Sequence, residues 1–316
     1  MQRSIYAGAK FRWLSRAAGL LVLLASLGFI AILASAHAQA LVDFRPGLSG
    51  TALLAAAATV YGAAGFLLST AWRYLLRWSG EQDVCWHESR RVYARTQLAK
   101  YVPGNVLQFV GRQVVGRQAG WSHLGLAVSS VFELISLLSI SCILAILGLA
   151  MTGMKIGAVS LTSLFVFLAG VIGIVGIFLF IAPRLLVDRW PEASSRIAGC
   201  RVSALWPIAL LHTAFFLIGG GVLLLVCQVV LKTPIDLEYW PAVISLFAIA
   251  WTAGSITPGA PSGLGVREAV LVMGLSPIAP VAQAILIAGL MRLVTIGGDL
   301  LFFLVASPKI PFRRHG

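Results

Sequence analysis

The sequence predicts an all-α polytopic membrane protein of about six transmembrane helices plus two re-entrant Pro-Gly hairpins arranged as an inverted repeat. Three observations predict it. The 316-residue chain is 59% hydrophobic and only 11% charged, with a mean hydropathy of +0.92, far from the usual make-up of soluble domains. Several uncharged runs reach the roughly 20 residues that cross a bilayer core. The basic residues behind the net charge of +13 gather just outside those runs, the pattern of cytoplasmic flanks that face anionic headgroups, not of a nucleic-acid surface.

The first span is expected over about residues 17–40, behind Arg3, Lys10, Arg12 and Arg16, which place the N-terminus inside. The basic leader, the apolar run and "AHAQA" also resemble a cleavable signal peptide. The run is long for a signal core, and the topology needs it as a span. A second span follows over about 51–72, then a basic cytoplasmic stretch to Gly120. Spans over about 124–149 and 158–181 are joined by a loop whose one charge is Lys155. "PRLLVDRWPEASSRIAGCR" returns the chain to the cytoplasmic side, and a fifth span covers about 205–231.

Beyond residue 232 the hydropathy pattern alone is ambiguous. Residues 241–256 are marginal for a span and 269–275 far too short at about 1.5 Å rise per residue. The run over about 278–307 can cross, and its basic tail "KIPFRRHG" belongs inside. Five crossings from an inside N-terminus leave the chain outside, so an odd number must follow. Residues 241–275 are therefore expected to enter from outside and return, with "PGAPSGLGVREA" at the tip. Broken backbone at that depth must be buried in protein or line a wet cavity.

A similar feature occurs earlier, in "LAKYVPGNVLQFVGRQVVGR". Pro103-Gly104 precedes Arg112 much as Pro258-Gly259 precedes Arg267, and each pair lies about 52 or 53 residues after the start of a span. The chain thus reads as one membrane domain of two halves, 1–155 and 156–316. Three crossings per half invert the second relative to the first, the arrangement of many secondary transporters.

"YVPGN" with its following Gly-Arg, and "TPGAPSGLGVREA", resemble the two motifs of the lysylphosphatidylglycerol synthase transmembrane-region family, the flippase-like domain. The resemblance spans nearly the whole chain. It implies movement of a polar-headed lipid between leaflets, without the aminoacyl-transferring domain of the fused synthases. Two departures stand out. Ala260-Pro261-Ser262 separate Pro258-Gly259 from Gly263-Leu264-Gly265, which alters the tip, and Glu133 is followed by Leu134 where many members have arginine.

The candidate substrate-binding residues are Pro103, Gly104, Asn105, Arg112, Pro258, Gly259, Gly263, Gly265, Arg267 and Glu268. Glycine permits left-handed turns and close backbone approach. A helix starting after such a turn offers free N–H groups to an anion, and arginine grips phosphate with two parallel hydrogen bonds. Arg267 has a structural alternative, pairing with Glu268 or Glu133, and Glu268 has one in capping its own helix. Glu133, Arg292 and Asp299 are charged residues inside apolar runs, where charge is costly and tends to be functional. Glu133 and Arg292 fall about 30 and 34 residues after their Pro-Gly pairs, so an ion pair between them is expected. Arg292 and Asp299 share a helix face without touching. His212 is expected at an interface, and the glycines of "LAGVIGIVG" and "IGGGV" in close helix packing.

The four cysteines have no metal spacing; Cys142 and Cys227 are expected to pack as small apolar residues. Nucleotide loops, metal-binding His/Glu sets and nucleophile elbows are missing from the sequence, so no cofactor or metal is expected. The leading expectation is an inner-membrane lipid translocator for a phospholipid or a polyprenyl-phosphate-linked sugar, with both termini cytoplasmic. The alternatives are a non-transporting partner of an envelope-lipid biosynthesis enzyme, and an intramembrane transferase working through Glu133, Asp299 or Glu268.

Overall fold

The computed structural model describes residues 44–101, 107–153, 205–231, 233–257 and 260–307, with isolated positions at 35, 162, 166 and 168–170. The expected spans over 17–40 and 158–181 lie almost wholly outside these residues, as does the basic C-terminal tail. Among the described residues the chain is helical and holds no strand.

Helix α1 covers Gly47–Trp78, α2 Trp86–Gln97, α3 Leu107–Gln118 and α4 His123–Thr152. After the undescribed stretch come α5 (Trp206–Leu231), α6 (Trp240–Ile256), α7 (Val266–Leu275) and α8 (Val281–Ala306). Short 3-10 turns sit at Leu98–Tyr101, Leu237–Tyr239 and Pro261–Gly263. Five helical segments are long and apolar enough to cross a membrane: α1, α4, α5, Leu237–Ile256 and α8. This is the architecture of a multi-pass membrane protein.

One of the five differs from expectation. Residues 241–256 are marginal by hydropathy, yet the Leu237–Tyr239 turn extends α6 into a 20-residue segment. Pro241 does not shorten it, because proline in the first helical turn removes an N–H that has no helical partner anyway.

The core forms where α1, α5 and α8 pack together and α6 joins α4 and α5. Small residues make these approaches possible. A methyl group on Gly62 would come within 2.7 Å of the Gly298 carbonyl oxygen, and one on Gly220 within 2.6 Å of Ile244 Cα. Backbones can approach this closely only where the side chain is absent, a common basis of helix association in lipid. Gly219 and Gly220 of "IGGGV" therefore pack as expected while Gly221 faces open space, and the Gly62–Gly298 crossing is an addition. Of "LAGVIGIVG", only 168–170 are described. Cys142 and Cys227 are buried in the apolar core.

Two pairs of shorter helices fold back on themselves. Thr96 of α2 faces Gly111 of α3, and Tyr93 lies against Arg112, so α3 packs back against α2. Likewise Leu246 of α6 meets Gly274 of α7, and Gly254 meets Arg267. Chain reversal in the second pair is built by Ser262, Gly263 and Gly265, with φ of 50°, 67° and 84°. Gly263 meets two demands. Its φ is left-handed, and a methyl there would lie 2.4 Å from Gly254 Cα.

Candidate functional site

The two turns meet. The Leu98–Tyr101 turn of the first hairpin contacts the Pro261–Gly263 turn of the second, and the charged residues singled out in the sequence converge around them. Pro103, Gly104, Asn105, Pro258 and Gly259 lie outside the described residues, so the Pro-Gly pairs themselves are not part of this geometry.

Arg112 is the most enclosed of the cations, at 2% exposure. It pairs with Glu133 on α4 and is surrounded by rings, its Cζ 4.3 Å from the Tyr93 centroid, 5.3 Å from Trp72 and 5.6 Å from Phe109. Tyr93 donates its hydroxyl to Glu133 at 2.7 Å. The carboxylate thus has a charged partner and a neutral one, as a buried charge requires.

Arg292 does not reach Glu133, and the ion pair expected between them does not form. Glu133 is engaged locally by Arg112, and Arg292 turns instead to the second hairpin. Its Nη1 lies 3.4 Å from Glu268 Oε1, and it donates to the carbonyls of Ser262 at 3.1 Å and Pro261 at 3.3 Å. Spacing along the chain placed both residues in comparable positions, but each found a nearer partner within its own half. Glu268 also accepts the Gly265 N–H at 2.6 Å. It therefore caps the first turn of α7 while holding Arg292.

Asp299 joins the halves. It accepts from Lys100 Nζ at 2.7 Å and from the Tyr101 hydroxyl. Both partners belong to the first hairpin, and Asp299 is on the last helix. Arg292 and Asp299 share a face of α8 but take different partners, as their spacing implies.

Arg267 has neither of its expected carboxylate partners. Glu133 is held by Arg112 and Glu268 by Arg292. Arg267 lies along Gly254, where a methyl would sit 2.5 Å from its Cγ. Its guanidinium is 5.8 Å from the Trp251 ring, and its Nη2 donates to Ser255 Oγ at 3.5 Å. Its Nε is buried with no acceptor, as is the Nε of Arg112.

Some of these groups line a cavity of about 80 Å³ between the hairpins and the core helices. Its polar wall is Lys100, Arg112, Glu133, Arg267, Gln97 and Gln108; its rings are Tyr61, Tyr93, Phe109, Phe215 and Trp251. A polar space of this size holds several waters, since about 10–15 Å³ admits one. A second cavity of about 20 Å³ is bordered by Trp251, Arg267, Glu268 and Arg292. Arg267 therefore borders both.

Sequence reasoning missed Lys100, Tyr101, Tyr93, Trp251 and Ser255. Their signal was position: Lys100 and Tyr101 lie three and two residues before Pro103, and Ser255 is one helical turn before the second Pro-Gly pair. His212 is also placed differently from expectation. It is fully buried between α4 and α5, with Nδ1 2.8 Å from Ser136 Oγ, because the apolar run around it is packed against protein on that face. Among the described residues no cluster of three or more metal-ligating side chains forms.

Compared with protein-family models, curated proteins and solved structures, the chain matches none. The resemblance to the flippase-like family therefore rests on the two motifs and the order of the spans.

Proposed function

We propose that this protein moves a polar-headed, anionic or glycosylated lipid between the leaflets of a cytoplasmic membrane, with both termini on the cytoplasmic side. The observation that carries the proposal is the cavity where the two hairpins meet, walled by cations inside a bundle of apolar helices. Moving a charged headgroup from water into a low-dielectric medium costs on the order of 20 kcal/mol in the idealised limit. A hydrated cavity with guanidinium groups lowers that barrier for the headgroup while the acyl or prenyl chain stays in lipid. A negative headgroup moving outward would also gain about 2.3 kcal/mol per charge per 100 mV of inside-negative potential.

In this reading both hairpins are re-entrant and belong to inverted halves. Two features support that. Each returning helix sends one charge to the span that follows it, Arg112 to Glu133 in the first half and Glu268 to Arg292 in the second. The signs are exchanged and the plan is the same. The flippase-like resemblance of the two motifs points to the same class of cargo.

The test is reconstitution into liposomes with fluorophore-labelled phosphatidylglycerol and, separately, a labelled polyprenyl phosphate, each read by a quencher confined to the outside. Faster loss of the inner-leaflet signal than in empty vesicles is expected for at least one cargo. Rates equal to empty vesicles for both overturn the proposal.

A further inference from the structure

We infer that the cavity selects a headgroup carrying a single negative charge, a phosphodiester in preference to a phosphomonoester dianion. The inference rests on the lipid-translocation reading and deepens it by naming the cargo's charge.

The argument is charge counting around the two adjoining cavities. Among the described residues the cations are Lys100, Arg112, Arg267 and Arg292, and the carboxylates are Glu133, Glu268 and Asp299. Every carboxylate is bound to one cation: Asp299 to Lys100, Glu133 to Arg112, Glu268 to Arg292. One positive charge is left, on Arg267, which has no carboxylate partner among the described residues. A monoanion brings the site to neutrality. A dianion leaves it with a net negative charge in low dielectric, or must displace a carboxylate already held by its cation and by a tyrosine or backbone donor.

Donors without acceptors belong to two of the same residues. The Nε of Arg267 and the Nε of Arg112 are buried without acceptors, and both residues line the larger cavity beside the amides of Gln97 and Gln108. A phosphodiester spreads one charge over two oxygens and adds two ester oxygens, so it can accept from several donors without demanding a second cation.

The experiment is calorimetric titration of the purified full chain in detergent at pH 9 with four probes. These are dioctanoyl phosphatidylglycerol (one negative charge), dioctanoyl phosphatidate (two, since a phosphomonoester's second ionisation falls near pH 6), dioctanoyl phosphatidylcholine (zwitterionic) and dimethyl phosphate (a soluble diester). Phosphatidylglycerol is expected to bind at least ten-fold more tightly than phosphatidate or phosphatidylcholine. Arg267→Gln should abolish that preference. Glu133→Gln or Asp299→Asn, each removing one internal counter-charge, should shift it toward phosphatidate by at least ten-fold. Thermal unfolding of each variant identifies those that are folded, and either one suffices.

Phosphatidate binding to the wild type as tightly as phosphatidylglycerol would overturn the charge inference and leave the translocation reading standing. So would an unchanged preference in every counter-charge variant that is folded. Dimethyl phosphate binding as tightly as phosphatidylglycerol would support the charge inference and remove the lipid from the reading. A wild type that binds none of the four overturns both.

Discussion

Arg112 and Arg267 each follow a Pro-Gly pair by the same nine residues, yet only Arg112 has a carboxylate. That difference gives the two side chains opposite relations to stability. Replacing Arg112 by glutamine strands Glu133 in the core, and breaking a buried pair from one side costs about 3–5 kcal/mol. Replacing Arg267 by glutamine removes a guanidinium whose Nε is buried without an acceptor, so stability should hold or rise, as is common where a site is kept strained for function. Thermal unfolding in detergent, followed by liposome transport on the folded fraction, separates the two. Arg112→Gln is expected to lower the midpoint, and Arg267→Gln to keep it while losing transport. A lower midpoint for Arg267→Gln than for Arg112→Gln would refute this division.

The helix elements depend on glycine positions that differ by a single residue. In α8, a methyl on Gly298 would lie 2.7 Å from the Ala58 carbonyl oxygen and 2.9 Å from Gly62 N, backbone atoms that cannot swing aside. A methyl on Gly297 would meet only Ala58 Cβ, at 3.7 Å. Gly298→Ala should therefore separate α8 from α1 and cost roughly 1–3 kcal/mol, the usual range for overpacking. Gly297→Ala should be neutral or stabilising by up to about 1 kcal/mol through helix propensity. Equal unfolding midpoints for the two variants would contradict the crossing. This contrast was not legible in the sequence, where the glycines are adjacent and identical. What was legible followed from hydropathy and punctuation: the bulk of α1, α4, α5 and α8, the reversal before α7, and the gathering of Arg112, Glu133, Arg267, Glu268, Arg292 and Asp299 as charges needing partners. Their pairing was not, because many side chains share a depth in a bundle and the helix rotations that choose among them come from packing. Lys100 and Tyr101 escaped notice for a related reason: in a mixed-polarity stretch a lysine looks like any cytoplasmic cation until Asp299 is brought to it.

Across the whole molecule, the orientation of the second hairpin decides how the halves relate. The segment Leu237–Ile256 is long enough to cross a bilayer, whereas α7 has 10 residues, about 15 Å of helix against a hydrocarbon core of about 30 Å. A chain that crossed on α6 could not cross back on α7 alone, and the last helix would then carry the basic C-terminus to the side opposite the one its charge predicts. Antiparallel packing of α7 on α6, with the tip held to α8 through Arg292, fits a hairpin that opens and closes on one face. Single cysteines at Thr233 and Ser276, both exposed and flanking the hairpin, test this in a chain whose four native cysteines are replaced by alanine. A membrane-impermeant maleimide applied to sealed, right-side-out vesicles should label both positions. Labelling of one from outside and the other only after permeabilisation would make α6 a true span, and the inverted relation between the halves would fall with the hairpin.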